Sequence, residues 1–222
     1  MTPNSRTLVQ TWKTRLYSAV IADTLDTLGF HHQVATPGVL PLDDTSVICG
    51  RVRTGIYMPI FHDDADTNVY ENEIKLIDDL HEDDVAVIIC HGNQQISPWG
   101  ELLSTRAKYL KAGGCLTDGS VRDVRQIRDM GFPVFTAGRN PADTKYRGKM
   151  MMYDVPAEFC GVRIQPGDLV FADIDGIVFI PAHATEEVTR LALEKVSTET
   201  TVRQELEGGA SLQEIFERHE IL

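Results

Sequence analysis

Three charged side chains in two short windows carry most of the chemistry that this sequence can do. In WGELL, Trp99–Leu103, a glycine precedes an acid at Glu101; twenty residues further on, DGSVRD, Asp118–Asp123, ends on adjacent Arg122 and Asp123. Arg122 offers a planar fork of donors matched to a carboxylate or keto oxygen. Asp123 is an oxygen ligand suited to a hard cation such as Mg²⁺, which takes few protein ligands and keeps several waters. Gly100 leaves the backbone open to close approach. If a helix begins here, the amides of Gly100, Glu101, Leu102 and Leu103 have no intrahelical acceptors and can receive a carboxylate. Such residues can hold a small 2-oxo acid beside a divalent cation. A structural use stays open as well: Ser120–Asp123 matches a capping box, and Glu101 in a first turn complements the helix dipole.

Both windows need a strand that ends just before a helix, because ligand sites in α/β sheets gather at the carboxyl ends of strands. The sequence supplies that pattern. VAVIIC, Val85–Cys90, is a continuous apolar run that predicts a buried central strand. Ser97–Lys111 has the serine–proline start of a helix, GGCLTDG predicts a short strand and turn, SVRDVRQIRDMG a helix stopped by Gly131, and FPVFTAG the next strand. This β–α–β–α–β alternation from residue 85 to 138 predicts a layered α/β core. Upstream, Leu16, Val20, Leu25 and Leu28 predict one amphipathic helix from Arg15 to Gly29, and Ile74, Ile77 and Leu80 a helix over Thr67–Leu80. Downstream, VRIQPGDLVFADIDGIVFIP predicts a strand–turn–strand–turn–strand meander. A long helix over Ala184–Glu207, a Gly208–Gly209 stop and a SLQE helix start complete the chain.

The 222 residues, with 42% hydrophobic and 24% charged, suit one globular domain with a terminal extension. A net charge of −12 argues against nucleic acid as a partner. Four cysteines far apart in sequence predict free thiols in a reducing compartment. No apolar run reaches the length of a membrane span and the N-terminus has no signal-peptide core, so the expected location is cytoplasmic. Three weaker clusters are His62, Asp63, Asp64 and Asp66 in FHDDAD, read as a solvated acidic loop; His31–His32, read as a helix-end element; and GRNPAD with Lys145, Arg147 and Lys149, read as a basic surface loop. Lys108, Lys111, Lys145 and Lys149 sit in polar contexts that do not suit a Schiff-base lysine.

The acid–x20–Arg–Asp spacing between WGELL and DGSVRD resembles the RraA-like family, which includes 4-hydroxy-4-methyl-2-oxoglutarate aldolases. GFPVFTAGRNPAD, PGDLVFADIDGIVFIP and the tail KVSTETTVRQEL…GGASLQEIFERHEIL are similar to that family too, so the resemblance runs from about residue 15 to the end. It implies a β-rich α/β sandwich of the swivelling-domain type, with residues 1–183 as the domain and 184–222 as a C-terminal helical tail packing on a neighbouring subunit. It implies a homotrimer or homohexamer with sites between subunits, and a metal-dependent lyase that forms pyruvate from a 4-hydroxy-2-oxo acid and decarboxylates oxaloacetate. Substrate contacts would come from Gly100, Glu101, Leu102, Leu103 and Arg122. Asp123 would hold Mg²⁺ or Mn²⁺, and Glu101 or Glu199 from a neighbour would act as base. In the family's best-known aldolases the acid before the gap is aspartate; Glu101 is one methylene longer. The alternative implied by the family's regulator branch is a non-catalytic protein that binds a ribonuclease.

Overall fold

The computed structural model describes residues 5–62 and 68–219, so Asp63, Asp64 and Asp66 of FHDDAD lie outside the described residues. The chain opens with two helices, α1 (Ser5–Arg15) and α2 (Ser18–Thr27), where periodicity predicted one from Arg15. The break has a tertiary cause. Tyr17 is extended, with φ −143° and ψ 160°, and the Ser18 amide and hydroxyl donate to Asp173 at 2.8 and 2.6 Å. A carboxylate from the far end of the chain therefore satisfies the start of α2.

There follow β1 (Leu40–Pro41), β2 (Ile48–Pro59), α3 (Glu71–Asp78), β3 (Asp84–Ile89), α4 (Glu101–Tyr109), β4 (Gly114–Val121), α5 (Val124–Met130) and β5 (Val134–Arg139). Strands β2, β3, β4 and β5 pair in parallel, and all of β3 and β4 is buried, as strands covered on both faces should be. The side-chain alternation of β3 divides the core. Ala86 and Ile88 face Leu76, Trp99, Ala107 and Ile127 beneath α3–α5. Val85, Val87 and Ile89 face Leu116, Phe135 and Phe159 on the other side.

Next come β6 (Gly148–Tyr153), β7 (Ala157–Phe159), β8 (Val162–Ile164), β9 (Leu169–Asp173) and β10 (Gly176–Ile180). Strands β9 and β10 form a hairpin on one half of β2, while β6 runs antiparallel to the other half. The order is β1-β5-β4-β3-β2-β9-β10, with β6 also on β2. The expected three-stranded meander is only a hairpin, because β8 pairs with β7 in a separate two-stranded sheet. The long helix α6 (Thr185–Glu207) lies on α1 and α2 of its own chain, with Trp12 Nε1 donating to Thr189 at 3.0 Å and Lys195 bridging Asp23 at 2.6 Å. Ahead of α7 (Leu212–His219), Ser211 and Glu214 form the predicted capping box: the Ser211 amide meets Glu214 Oε2 at 2.8 Å and the Glu214 amide meets Ser211 Oγ at 3.2 Å. The layered α/β sheet with a C-terminal helical extension is the fold the sequence predicted. No described helix is long and apolar enough to cross a membrane, and the four cysteines are free.

Candidate active site

The end of β4 and the start of α4 are held together by backbone. Trp99 forms a parallel bridge with Val121, and the Arg122 amide donates to Trp99 O at 3.1 Å. Behind them Trp99 is 1% exposed and stacks on Phe132. Its indole N–H donates to Ser104 Oγ at 2.8 Å, and Ser104 donates on to Gly100 O at 2.9 Å. At Gly100 the need for glycine is one of space. A Cβ there would lie 2.8 Å from Asp123 Oδ2 and 3.2 Å from Arg122 Cγ.

Asp123 is the N-cap residue of α5 and sits in the left-handed region at φ 57°, without a side-chain capping bond. The capping box that the sequence allowed does not form: Ser120 stays within β4, its hydroxyl donating to Gln94 O at 2.8 Å. Asp123 Oδ2 instead accepts the Glu101 amide at 3.2 Å. One first-turn amide of α4 thus receives a carboxylate, and that carboxylate is the protein's own. The Arg122 guanidinium lies 3.7 Å from Asp123 through Nε and 3.3 Å from Asp143 through Nη1. Asp143 in turn accepts the Tyr70 hydroxyl at 3.0 Å.

These residues border a cleft of about 250 Å³, lined by Gly100, Leu102, Leu103, Arg122 and Asp123 together with Tyr70, Glu73 and Asp143. Five of the seven predicted site residues therefore meet. Glu101 does not line the cleft; its carboxylate accepts Thr105 Oγ1 at 3.1 Å. Glu199, on α6, accepts a hydrogen bond from Tyr17 of its own chain, and burial raises its pKa.

Sequence reasoning missed Tyr70, Glu73 and Asp143. Glu73 carried a legible signal, because Glu73, Leu76 and Ile77 share the buried face of α3 while Ile74 is 47% exposed. An acid occupies a core position. Its Oε2 accepts the Tyr57 hydroxyl at 2.7 Å. Burial pushes the Glu73 carboxyl up to about 7; Tyr57 and Arg122 pull it down and Asp143 pushes it further up. Burial likewise drives the Tyr57 hydroxyl well above its ordinary value, and lifts Tyr70, with help from Asp143, to about 12. Burial works against ionised Asp143, yet Tyr70 and Arg122 hold its carboxyl below the usual range. The basic loop lies at the surface, as read: Tyr146 and Arg147 are exposed, Arg147 donates to the Asp143 and Lys145 carbonyls, and Lys145 lies over the Tyr146 ring. What escaped is Asp143, ahead of both cations, which reaches the cleft. His31 pairs with Asp26 at 3.2 Å beyond the end of α2, a helix-end contact.

No group of three potential metal-binding side chains gathers among the described residues. A cation demanding a protein cage does not suit this cleft. The donor set, one accessible carboxylate at Asp123 beside open volume, suits Mg²⁺ or Mn²⁺, which accept one or two carboxylates and fill the remaining positions with substrate and water.

A family model described as RraA-like, Aldolase/RraA, matches residues 18–179. The chain belongs to the RraA-like family. Among curated relatives of this RraA-like chain, DlpA of Legionella pneumophila is 30% identical over 200 residues, covering 90% of this chain and 32% of DlpA. A protein of Halalkalibacterium halodurans that carries the provisional name 4-hydroxy-4-methyl-2-oxoglutarate aldolase is 36% identical over 112 residues, covering 50% of this chain and 53% of that protein. The chain thus spans about a third and about half of these two relatives. Among solved structures, RraAS2 of Streptomyces coelicolor, described as an unusual member of the RNase ES inhibitor RraA family, superposes with a TM-score of 0.79. It is 28% identical, covering 91% of this chain and 98% of its own.

Proposed function

We propose that the cleft is the active site of a carbon–carbon lyase. It cleaves a 4-hydroxy-2-oxo acid, such as 4-hydroxy-4-methyl-2-oxoglutarate, to pyruvate, and it decarboxylates oxaloacetate through the same enolate. The observation that supports this most is the divided pair at the end of β4, with Arg122 steered by Asp143 and Asp123 steered by the Glu101 amide, both facing one cleft. Arg122 binds the carboxylate or keto oxygen of the 2-oxo acid and sets fixed positive charge against the enolate as the bond two carbons along breaks. The Leu102 and Leu103 segment at the head of α4 walls the pyruvyl end. Asp123 would hold a divalent cation, Mg²⁺ or Mn²⁺, which would supply Lewis-acid charge for that enolate. Aldol cleavage also needs a base for the departing hydroxyl. Glu101, between cleft-lining Gly100 and Leu102 but bonded to Thr105, would have to turn toward the cleft to serve, and Glu199 would arrive from a neighbouring copy in a trimer or hexamer. Oxaloacetate needs no such base, because loss of CO₂ leaves the same enolate.

The test is pyruvate release from a 4-hydroxy-2-oxo acid and from oxaloacetate, with Mg²⁺ or with chelator, in wild type and Asp123→Asn. Asparagine tolerates the left-handed backbone at this position, so the substitution removes the ligand with little backbone strain. Turnover should require both the cation and Asp123. Full activity in chelator, or in Asp123→Asn, refutes the assignment. A protein that turns over no 2-oxo acid yet binds a ribonuclease would instead be a regulator, the reading that the likeness to RraAS2 supports.

A further inference from the structure

We infer that Glu73 is a catalytic acid of this cleft, its carboxyl group delivering the proton that turns the pyruvate enolate into pyruvate; this rests on the lyase function proposed above. Decarboxylation of oxaloacetate consumes one proton at C3, and no earlier step of that reaction supplies it. The cleft must therefore contain a donor or admit water to the enolate. Its other polar walls are poorly suited to the task. Arg122 is assigned to the substrate oxygens, Asp123 is assigned to the cation, and Asp143 is held as a carboxylate by Tyr70 and Arg122. The Tyr70 hydroxyl is already donated to Asp143.

Glu73 differs from all of these. It is 7% exposed, yet it lines the cleft. Its one hydrogen bond among the described residues comes from the neutral Tyr57 hydroxyl, and no cation pairs with it there. Five groups face it: Tyr57 on β2, Cys90 after β3, Arg122 after β4, Asp143 after β5 and Tyr70 ahead of α3. Two of them, Arg122 and the hydroxyl of Tyr57, favour the carboxylate, whereas burial and Asp143 favour the acid. A carboxyl balanced near 7 can both give and regain a proton at neutral pH. In the step proposed, the Glu73 O–H bond breaks and a C–H bond forms at C3 from the enolate electron pair. Glu73 is left as carboxylate and regains its proton from solvent. In the aldol direction the proton removed from the 4-hydroxyl balances the one added at C3.

The reverse of this step can be watched directly. In D₂O the wild-type protein with Mg²⁺ should exchange the methyl protons of pyruvate, followed by proton NMR. Glu73→Gln, which keeps an acceptor for Tyr57, should slow exchange by about 100-fold or more, and by much more than it slows CO₂ release from oxaloacetate. Exchange needs Glu73 as the carboxylate, and Tyr57→Phe removes a hydrogen bond that lowers its pKa, so the acid limb of the exchange profile should move to higher pH. A merely structural Glu73 would move neither the exchange-to-decarboxylation ratio nor that limb. Exchange within a few-fold of wild type in Glu73→Gln, or an unmoved limb in Tyr57→Phe, overturns the inference while oxaloacetate turnover leaves the lyase function standing. A wild-type protein that neither decarboxylates oxaloacetate nor exchanges pyruvate overturns both.

Discussion

Replacing Glu73 by glutamine should change how the stability of the fold depends on pH, whether or not any substrate is present. The carboxyl is lifted from 4.5 to about 7, chiefly by burial. At about 1.4 kcal/mol for each pH unit, that displacement amounts to about 3 kcal/mol. Below pH 4.5 the group is protonated in both native and unfolded chains and contributes nothing to the pH dependence. Between 4.5 and about 7 the unfolded chain releases this proton while the native chain keeps it, so native protein binds more protons and stability falls as pH rises. Above 7 both forms are ionised and the loss is complete. Glutamine has nothing to titrate and still accepts the Tyr57 hydroxyl. The unfolding free energy of wild type minus that of Glu73→Gln should therefore drop by about 3 kcal/mol between pH 4.5 and 8. Urea denaturation across that range measures it. A difference that stays constant with pH would show that Glu73 is solvated in the native state and that burial does not raise its pKa.

Two further outcomes test how the cleft is held. Gly100→Ala puts a methyl group 2.8 Å from Asp123 Oδ2 and 3.2 Å from Arg122 Cγ, so both side chains must shift, and kcat/KM for oxaloacetate should fall about 100-fold; a value within twofold of wild type removes the close approach from the argument. Ser104→Ala leaves the buried Trp99 indole N–H without its acceptor, which should lower stability in urea by about 1–3 kcal/mol, and an unchanged midpoint would refute the bond's role.

The parallel core was legible because its physics is local. Strands β3 and β4 are apolar throughout, and helix and strand alternate with short connections. Of the candidate site, Arg122, Asp123 and Gly100 stood out because their types and spacing have few other uses together. What escaped depended on contacts distant in sequence. The helix expected from Ser120 starts at Val124, since Ser120 and Val121 are drawn into pairing with Gly138 and Arg139 of β5. The break before α2 is set by Asp173, 155 residues away. Asp143 was hidden in a loop whose neighbouring cations drew the eye, and only Arg122 and Tyr70 show which way its carboxylate turns. On α3 the periodicity was read from Ile74, Ile77 and Leu80, while the buried face is Glu73, Leu76 and Ile77. The acid on that face is explained by the cleft it lines.

The bridge between Trp99 and Val121 makes the cleft two unlike halves. From Glu101 to Arg122 the chain runs through the nine residues of α4 and the eight of β4 and returns to its starting point. One residue added to that circuit would rotate α4 or slide β4, and with it Arg122 and Asp123. This half works as a ruler of fixed length. The facing half is joined to it unequally: Asp143 steers Arg122 directly and Asn140 bonds to Val121 at 3.1 Å, whereas Tyr70 reaches Arg122 only through Asp143. Substrate range can therefore be re-engineered at Tyr70 and the residues just ahead of α3, leaving Asp143 and the Arg122–Asp123 chemistry in register.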